Sequence, residues 1–415
     1  MASTQLNSQL ARLQKQPDKL QLYHALIQQQ LANKFIEVVE EDNHKTGHYL
    51  PHHAVLKDSV TIPIRIVFNC SAKLKADSVS LNDCLQTRPS LTQRFQDVLL
   101  QFHSGVFAYT ADISTAFLRV GLQETDRDFI KFLWVKDPQD LNSKIITYRF
   151  ASVLFGATSS PFLLQATLDT HLKKSNSPYK TEISNNLYVD NFQGTTNDEN
   201  KLVEIYHEAN RELLGANMPL QSWASNNKQL NQIIEEEFTD YKVPHKLKVL
   251  DMKWTTSTDK LNIKSVEIKH SPLTMRKLLS HVSKPFDPLG LLSPILINGK
   301  LLMHECCQRN LRWDETLPED LQEKCQQLIP DYNKHSIPQF PRNTLGRNLA
   351  TNLHVFCDAS GKAYGSVAYL VNTQQSFLLT SKARVAPIKR RSLPQMELTL
   401  ISRCKTGSLL DQNPQ

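Results

Sequence analysis

Two short stretches decide how this chain folds: VFAYTADISTAF at residues 106–117 and NLYVDNF at residues 186–192. Each contains an apolar run typical of a buried strand, and the run leads to an acidic residue, Asp112 or Asp190. Apolar residues flank Asp190 on both sides, which predicts a β-hairpin with the carboxylate at its tip, because Asp-Asn tolerates the φ > 0 conformations of tight turns. A carboxylate at a strand end can reach into a cleft without being buried in a core.

The two carboxylates together indicate metal chemistry, although neither motif does so alone. An Asp at a strand end is commonly a helix cap, and a tetrapeptide such as YVDN also occurs by chance. On adjacent strands, Asp112 and Asp190 could share divalent cations, and two-metal phosphoryl transfer needs ions about 3.5–4 Å apart. Mg²⁺ suits carboxylates that act together with substrate phosphates. The pair is therefore a candidate site for Mg²⁺, or for Mn²⁺ in its place.

Short strands and amphipathic helices interleave around these stretches. Residues 1 to about 45, 90–103 and 160–174 have helical patterns, and apolar runs such as IPIRIVF and FIKFLWV between them are typical of strands. Residues 197–238 are predicted to form covering helices, and a Pro-interrupted linker is predicted at 330–345. A strand, a turn and a second strand are predicted from about residue 350. This alternation favours an α+β architecture over an all-β sandwich.

Composition limits the class of protein. The 415 residues, of which 40% are hydrophobic, are enough for two to three domains with a sizeable core. Glycine is scarce, at 12 residues, and no Gly-rich nucleotide loop is present. The sequence has no 18-residue apolar run and no secretory signal, and its seven scattered cysteines fit reduced thiols. We therefore expect no membrane partner, no secretion, and a cytoplasmic or nuclear location.

Basic side chains are concentrated in one segment. Residues 242–284 hold ten Lys or Arg and three acidic residues, whereas the whole chain has a net charge of only +7. A solvated basic face is one interpretation of this segment. A polyanion-binding surface is the other, because it would concentrate charge in this way within an otherwise nearly neutral chain.

In this combination and order, the motifs resemble the reverse transcriptase region of a retrotransposon polyprotein, specifically of the BEL/Pao class. The resemblance extends over about residues 18–402. The residues that carry it are IRIVFNCSAK (64–73), YTADISTAFLRV (109–120), DRDFIKFLW (126–134), FGATSSPFLL (155–164), LYVDN (187–191), LQSWASN (220–226), VLDMKW (249–254) and SKPFDPLGLLSP (283–294).

The resemblance implies an α+β right-hand polymerase with fingers, palm and thumb, followed by a partial ribonuclease H-like α/β unit. The implied units are an N-terminal helical segment (1–45), fingers and palm (46–240), a thumb and connection region (241–345), a truncated ribonuclease H-like unit (350–405) and an unstructured tail (406–415). The implied reaction is RNA-directed DNA synthesis, in which a deoxynucleoside triphosphate is added to a primer 3′-OH on an RNA or DNA template. Other polyprotein products are implied as partners, and virus-like particles as one location.

The resemblance also implies a role for each matching residue. Asp112 and Asp190 match metal-binding carboxylates, and Asn191 follows them in the catalytic hairpin. The residues that match nucleotide-binding positions are Lys57 and Arg65 for the triphosphate, Phe117 for exclusion of a ribose 2′-OH, and Phe155 and Gly156 for the strip under the nucleotide. The residues that match primer or template positions are Trp223, Lys253 and Trp254, although a Trp at such positions is more often simply core.

Several features depart from the family pattern. Asn191 stands where reverse transcriptases at large have a second Asp, and Asp251 stands where the family favours Gly. Asp358 and Glu397 match only the first two carboxylates of a ribonuclease H domain, so no ribonuclease H activity is expected. The sequence after Ser402 leaves the family pattern, and both ends look cut from a longer polyprotein.

Two alternatives to an active polymerase remain open from the sequence. The first is a catalytically inactive nucleic-acid-binding remnant of a retrotransposon, with an intact fold and too few metal ligands. The second is a structural or interaction protein that uses its Gln-rich helix at residues 5–30.

Overall fold

A computed structural model describes residues 2–40, 47–56, 64–140, 142–263, 273–334, 339–344, 352–373, 375–387 and 392–405. The helices in these ranges are α1 (Ala2–Gln14), α2 (Pro17–Ala32), α3 (Leu81–Cys84), α4 (Phe95–Phe102), α5 (Glu124–Arg127), α6 (Ser160–Lys174), α7 (Lys180–Asn185), α8 (Glu199–Gly215), α9 (Lys228–Glu237), α10 (Met275–Ser283), α11 (Ser293–Gln308), α12 (Glu319–Lys334) and α13 (Leu393–Lys405). Two 3₁₀ turns lie at Ala116–Arg119 and Asp128–Ile130. The strands are β1 (Ile36–Val38), β2 (His52–Leu56), β3 (Ile64–Phe68), β4 (Phe107–Ile113), β5 (Lys131–Val135), β6 (Ile145–Phe150), β7 (Leu187–Tyr188), β8 (Asn191–Thr196), β9 (Leu220–Ser225), β10 (Lys246–Val249), β11 (Met252–Thr255), β12 (Lys260–Asn262), β13 (Phe340–Pro341), β14 (Asn352–Ala359), β15 (Ala363–Val371) and β16 (Ser376–Val385).

The chain forms two compact units, each assembled from several segments. The first unit comprises Met1–Gln93, Ala111–Phe192 and Glu204–Gln221. The second unit comprises Arg94–Thr110, Gln193–Val203 and Ser222–Gln415. Within the described residues, no helix combines the length and the apolar character needed to cross a membrane.

The N-terminal helices belong to the core of the first unit. Both α1 and α2 place apolar residues at three- to four-residue spacing, and one face of each helix is buried as a result. Tyr23 and Ile27 are completely buried in a cluster that includes Phe132 and Trp134 from β5. Strand β6 lies between β1 and β5 in an antiparallel sheet. The apolar face of both helices is therefore buried within the first unit.

A four-stranded sheet carries the two acidic motifs, and its strand order is β7-β8-β4-β9. Strand β9 lies inside the region 197–238, for which the sequence predicts only helices. That prediction is wrong at Leu220–Ser225, although α8 and α9 flank the strand as expected. Six residues with mixed burial are too few to distinguish a strand from a buried helical turn by periodicity.

The second unit contains an antiparallel sheet with the strand order β10-β11-β12-β13. One face of this sheet is apolar and packs against α4. The side chains on this face are Leu247, Val249, Met252, Trp254 and Leu261. Helices α10, α11 and α12 form a separate apolar cluster around Cys306 and Leu321, both of which have no exposed surface.

A buried arginine fixes the segment that the sequence predicts to be a linker. Strand β13 pairs with β12, and the following residue, Arg342, has a side chain with no exposed surface. Its guanidinium forms a bidentate ion pair with Asp259 at 2.7 and 2.8 Å. It also donates to the carbonyl oxygens of Phe102, Gly105 and Val106 at 2.6, 2.7 and 2.9 Å. Part of the predicted linker is therefore structural core of the second unit.

The C-terminal sheet has the antiparallel order β14-β15-β16, which agrees with the strand, turn and strand predicted from residue 350. Helix α13 packs on β14, and α11 packs on β16. Gly290, at φ +76°, lies so close to Ser381 that a Cβ atom would stand 2.0 Å from the Ser381 carbonyl oxygen. Only glycine fits this position, because it combines a left-handed backbone with no side chain.

Candidate active site

The structure places Asp112 and Asp190 side by side. The backbone N–H of Ile113 donates a hydrogen bond to the carbonyl oxygen of Asp190 at 2.7 Å. Neighbouring strands lie about 4.8 Å apart, so this bond brings the end of β4 next to the tip of the β7–β8 hairpin. Both acidic residues are half-buried, and both belong to the first unit.

The hairpin presents Asp190 through a strained turn. Leu187 pairs with Phe192 and Tyr188 with Asn191, which leaves Val189 and Asp190 as the turn. The positive φ of this turn, +57°, falls on Val189 and not on the Asp-Asn pair that the sequence suggests. A β-branched residue in this conformation is a genuine outlier, at a cost of about 1–3 kcal/mol.

Two amide side chains hold the carboxylates. The Nδ2 atom of Asn191 donates to Oδ1 of Asp190 at 3.1 Å, and the Nε2 atom of Gln221 donates to Oδ2 of Asp112 at 3.3 Å. Gln221 reaches this position because the N–H of Ser114 donates to the carbonyl oxygen of Pro219, at 3.0 Å, just before β9. Sequence reasoning missed Gln221, although it lies within the quoted LQSWASN motif.

The donor set suits a hard divalent cation that binds together with its substrate. Among the residues that the structure describes, no group of three or more His, Cys, Asp or Glu side chains is placed to hold a metal ion. Two carboxylates and one amide oxygen match Mg²⁺, which is usually bound by one or two carboxylates plus substrate phosphates and water. Asp112 and Asp190 would hold the ion, with Asn191 as a neutral neighbour.

Two of the residues expected to bind the nucleotide, Phe117 and Phe155, are in contact through their rings. Phe117 is buried in the 3₁₀ turn after β4, and its ring centroid lies 5.5 Å from that of Phe155 in an edge-on arrangement. Phe155 is 69% exposed, although it is a large apolar side chain. One ring is therefore anchored in the first unit while the other is available at its surface.

Asn82 connects the strip to the segment after β3, and the sequence reasoning did not identify it. Its Nδ2 atom donates to Ser71 Oγ at 2.9 Å and to the Gly156 carbonyl oxygen at 3.1 Å, while its Oδ1 atom accepts from the Thr158 N–H at 3.0 Å. Gly156 has φ +107°, which only glycine adopts easily. The capping box formed by Ser80 three residues before Asp83 marks the start of α3 in the sequence, but it does not reveal these contacts.

Of the two cationic side chains predicted to bind the triphosphate, the structure describes only one. Arg65 lies on β3 directly opposite Val55 of β2, and its side chain is exposed. Lys57 lies outside the described residues. The structure therefore describes one of the two predicted cations, the exposed guanidinium of Arg65 on the β2–β3 hairpin of the first unit.

The two predicted primer-contacting tryptophans are core residues of the second unit. Trp223 is 1% exposed, and Trp254 has no exposed surface. The indole N–H of Trp254 donates to Oδ1 of Asp259 at 3.0 Å. Both indoles are therefore placed as the core interpretation of these tryptophans expects, and neither ring offers an exposed face to a primer or template. Lys253, between two buried residues of β11, is exposed.

The two ribonuclease H-like carboxylates lie on separate elements of the C-terminal part. Asp358 is exposed near the end of β14, and Glu397 is exposed in α13. Asp358 also lines a cavity of about 500 Å³ whose other walls include Gly290 and Tyr364. Neither residue belongs to a metal-binding cluster within the described part of the chain.

Comparisons with known proteins agree with this architecture. Residues 274–406, about a third of the chain, match the Pao retrotransposon-like RNaseH-like domain. This match begins at the residue before α10 and so includes much of the region that the sequence analysis assigned to the thumb and connection. A search of curated proteins gave no match.

The fold is shared with many solved structures, including three that match 92–94% of this chain. The first is the foamy viral protease-reverse transcriptase dRH in complex with double-stranded DNA, at 13% identity and a TM-score of 0.58, and the match covers 92% of this chain and 59% of that chain. The second is the foamy viral protease-reverse transcriptase in complex with an RNA/DNA hybrid, at 14% identity and a TM-score of 0.58, with 92% of this chain and 45% of that chain covered. The third is the foamy viral protease-reverse transcriptase in complex with double-stranded DNA, at 15% identity and a TM-score of 0.59, with 94% of this chain and 72% of that chain covered. The chain thus spans only about half to three quarters of the length of these proteins. It has a mixed α/β reverse transcriptase fold with a retrotransposon-type ribonuclease H-like part, which confirms the resemblance and the fold class expected from the sequence.

Proposed function

We propose that this chain is the polymerase region of a retroelement polyprotein and adds deoxynucleotides to a primer 3′-OH on an RNA or DNA template. The observation that carries the proposal is the hydrogen bond of 2.7 Å from Ile113 to Asp190, which joins the two carboxylate-bearing strands. A reverse transcriptase fold and a retrotransposon-type domain in the same chain support it.

In this proposal the carboxylates of Asp112 and Asp190 bind the divalent cations that the reaction needs. Bound Mg²⁺ supplies activation of the primer hydroxyl and stabilisation of the leaving pyrophosphate oxygen. The chain's own contribution is placement, because each carboxylate accepts a hydrogen bond from an amide, Asn191 or Gln221, that restricts its rotation. The strained Val189 turn keeps Asp190 at the hairpin tip.

The remaining residues of the first unit would select and orient the nucleotide. Arg65 would contact the triphosphate, as would Lys57. Phe117 would occupy the space that a ribose 2′-OH requires, and Phe155 with Gly156 would form the surface under the base. Because the ring of Phe117 is buried, it has little freedom to move away from a ribonucleotide.

The competing proposal is a catalytically inactive nucleic-acid-binding remnant. It is favoured by one observation, which is that Asn191 supplies an amide where a third carboxylate would raise the negative charge of the site. An amide oxygen can coordinate Mg²⁺ but attracts it less strongly than a carboxylate.

Primer extension on a poly(rA)·oligo(dT) duplex with Mg²⁺ or Mn²⁺ tests the proposal. Asp112→Asn should abolish extension and leave duplex binding nearly unchanged, since affinity for nucleic acid comes mainly from cationic contacts to phosphates. Asp126→Asn, an acidic residue in the first turn of α5, is the matched control and should extend normally.

The outcomes separate the two proposals. If the unaltered protein binds the duplex but extends no primer with either metal, the inactive remnant is the correct description. Extension at the unaltered rate by the Asp112→Asn protein would show that the carboxylate pair is not the catalytic centre.

A further inference from the structure

Strand β14 is an edge strand of the C-terminal sheet. In the order β14-β15-β16, β15 lies in the middle, so β14 pairs on one side only within the part of the chain that the structure describes. The strand runs over eight residues, Asn352–Ala359, whereas strands of about five to six residues are usual. An edge of this length offers a template on which another strand can pair.

The composition of β14 leaves this edge unprotected. Proteins usually shield an exposed edge with proline, lysine or a β-bulge, and the sequence NLHVFCDA contains neither proline nor lysine. Its pairing with β15 keeps one register from Asn352 to Ala359. Three of its apolar side chains are exposed, Leu353 by 59%, Val355 by 37% and Phe356 by 59%. A long, regular and apolar edge of this kind is expected to associate with another strand.

The strand is complementary to itself in one antiparallel register. A two-fold axis perpendicular to the sheet keeps the same face up in both copies, so residues on the same face stand opposite one another. With the axis at Phe356, His354 of each copy stands opposite Asp358 of the other, and both side chains are exposed. The imidazole N–H can donate to the carboxylate, and the symmetry makes this contact twice.

The neighbouring registers lose this match. An axis at Val355 places Asp358 opposite Asn352, and an axis at Cys357 places Asp358 opposite Phe356. The register centred on Phe356 instead sets the two Phe356 rings against each other and Val355 against Cys357. Opposite-charge and aromatic pairs that stand directly opposite one another stabilise antiparallel strands, so this register is the favoured one.

Helix α13 enlarges the surface next to this edge. It packs on β14, and two of its leucines are exposed, Leu393 by 46% and Leu398 by 64%. Because the axis keeps the same face up in both copies, a second α13 would lie on the same side of the joined sheet as the first. Association at the edge therefore brings further apolar surface from two helices close together, and its burial favours the complex.

We propose that this chain forms a homodimer in which two β14 strands pair antiparallel about an axis at Phe356. The two three-stranded sheets then become one sheet of six strands. The partner is a second copy and not an unrelated strand, because charged and apolar side chains match when the strand is paired with its own reversed sequence. The proposal goes beyond polymerase activity and does not depend on it.

Sedimentation velocity of the purified chain, without nucleic acid or metal, tests the association. The unaltered protein should form a concentration-dependent dimer. His354→Asp places like charges opposite one another twice and should weaken dimerisation about tenfold. Adding Asp358→His exchanges the two partners, so the double variant should recover most of the lost affinity. His53→Asp, which alters an exposed histidine of β2, is the matched control and should leave dimerisation unchanged.

A disulfide tests the register. Val355→Cys stands opposite the native Cys357 of the second copy, where the Cα atoms of paired strands lie about 4.5–5.5 Å apart, within reach of a disulfide. Oxidised glutathione should therefore join two chains of this variant rapidly. Leu214→Cys, at a 64% exposed position of α8, is the control and should be joined much more slowly.

Three results would overturn the proposal. The first is an unaltered chain that stays monomeric at the highest concentration that remains in solution. The second is a charge-exchanged double variant that associates no better than His354→Asp alone. The third is a Val355→Cys protein that is joined no faster than Leu214→Cys, which would place the dimer contact elsewhere. None of these measurements uses template or nucleotide, so their outcome is independent of primer extension.

Discussion

Replacing Arg342 by Met should destabilise the second unit far more than its place in a predicted linker suggests. The guanidinium has no exposed surface and donates to both carboxylate oxygens of Asp259. It also satisfies the carbonyl oxygens of Phe102, Gly105 and Val106. Methionine fills a similar volume but donates no hydrogen bond.

The expected loss follows from the groups that are left behind. The buried carbonyl oxygens of Phe102 and Gly105 lose the guanidinium donor, at about 1–3 kcal/mol for each group, and the Asp259 carboxylate, whose side chain is 25% exposed, loses its ion-pair partner. Asp259 keeps one donor, the indole N–H of Trp254, so its charge is only partly compensated. We therefore expect the free energy of unfolding of the second unit to fall by about 2–6 kcal/mol.

Urea unfolding followed by tryptophan fluorescence measures this loss, since Trp254 lies beside the ion pair. With a slope of about 2 kcal/mol per M, the midpoint should fall by about 2 M. The control is Arg309→Met, which removes an exposed arginine that pairs with Glu305 and Asp320 and should shift the midpoint much less.

A double variant identifies the cause. Arg342→Met combined with Asp259→Leu removes the stranded carboxylate, so it should recover part of the stability lost in the single variant. The reasoning is refuted if Arg342→Met shifts the midpoint no more than Arg309→Met, or if the second substitution adds its own full loss.

Four further predictions concern the site and the stability of the chain. Asn82→Ala removes three hydrogen bonds beside Gly156. In steady-state primer extension it should raise the KM for deoxynucleotides about 5- to 30-fold and change kcat less. A change in kcat alone would contradict this positioning role. Asn191→Asp should lower the Mg²⁺ concentration that gives half-maximal extension, whereas Asn191→Ala should raise it, and identical metal titrations for the three proteins would exclude Asn191 as a metal neighbour. Burial lowers the pKa of His52 and His103 from the usual 6.5 to about 4. Between these two values the unfolded chain binds more protons than the folded chain, so the urea midpoint should fall as the pH is lowered from about 6.5 towards 4. A midpoint that rises on acidification would be inconsistent with neutral buried imidazoles. The C-terminal part should not degrade the RNA of an RNA–DNA hybrid, and degradation that disappears on Asp358→Asn would prove this expectation wrong.

The features that the sequence predicts well depend on local pattern. The Asp190 hairpin, the helix over Ser160–Lys174 and the strands from Asn352 can be predicted because periodicity and turn residues lie within one short window. The resemblance to reverse transcriptases has the same origin, since it depends on short motifs in a fixed order. The fold class therefore follows from residues close together in the chain.

The features that the sequence does not reveal depend on distant partners. Asn82 contacts a carbonyl group 74 residues away, and Arg342 contacts one 240 residues away. Nothing near either residue in the sequence distinguishes it from an ordinary surface amide or a surface arginine. The positive φ of Val189 is also unpredictable, because a β-branched residue avoids that conformation unless the surrounding sheet enforces it.

The hydrogen bonds of Arg342 also limit when the newly made chain can complete this part of its fold. The carbonyl oxygens of Phe102, Gly105 and Val106 leave the ribosome 236 to 240 residues before their donor does. At about 5–20 residues per second, roughly 12 to 48 s of translation separate the two. During that interval, α4 and the start of β4 lack a partner that they need in the native state. Nascent chains stalled before codon 342 should therefore be less resistant to protease around residues 102–106 than chains stalled far enough beyond it for Arg342 to have left the exit tunnel.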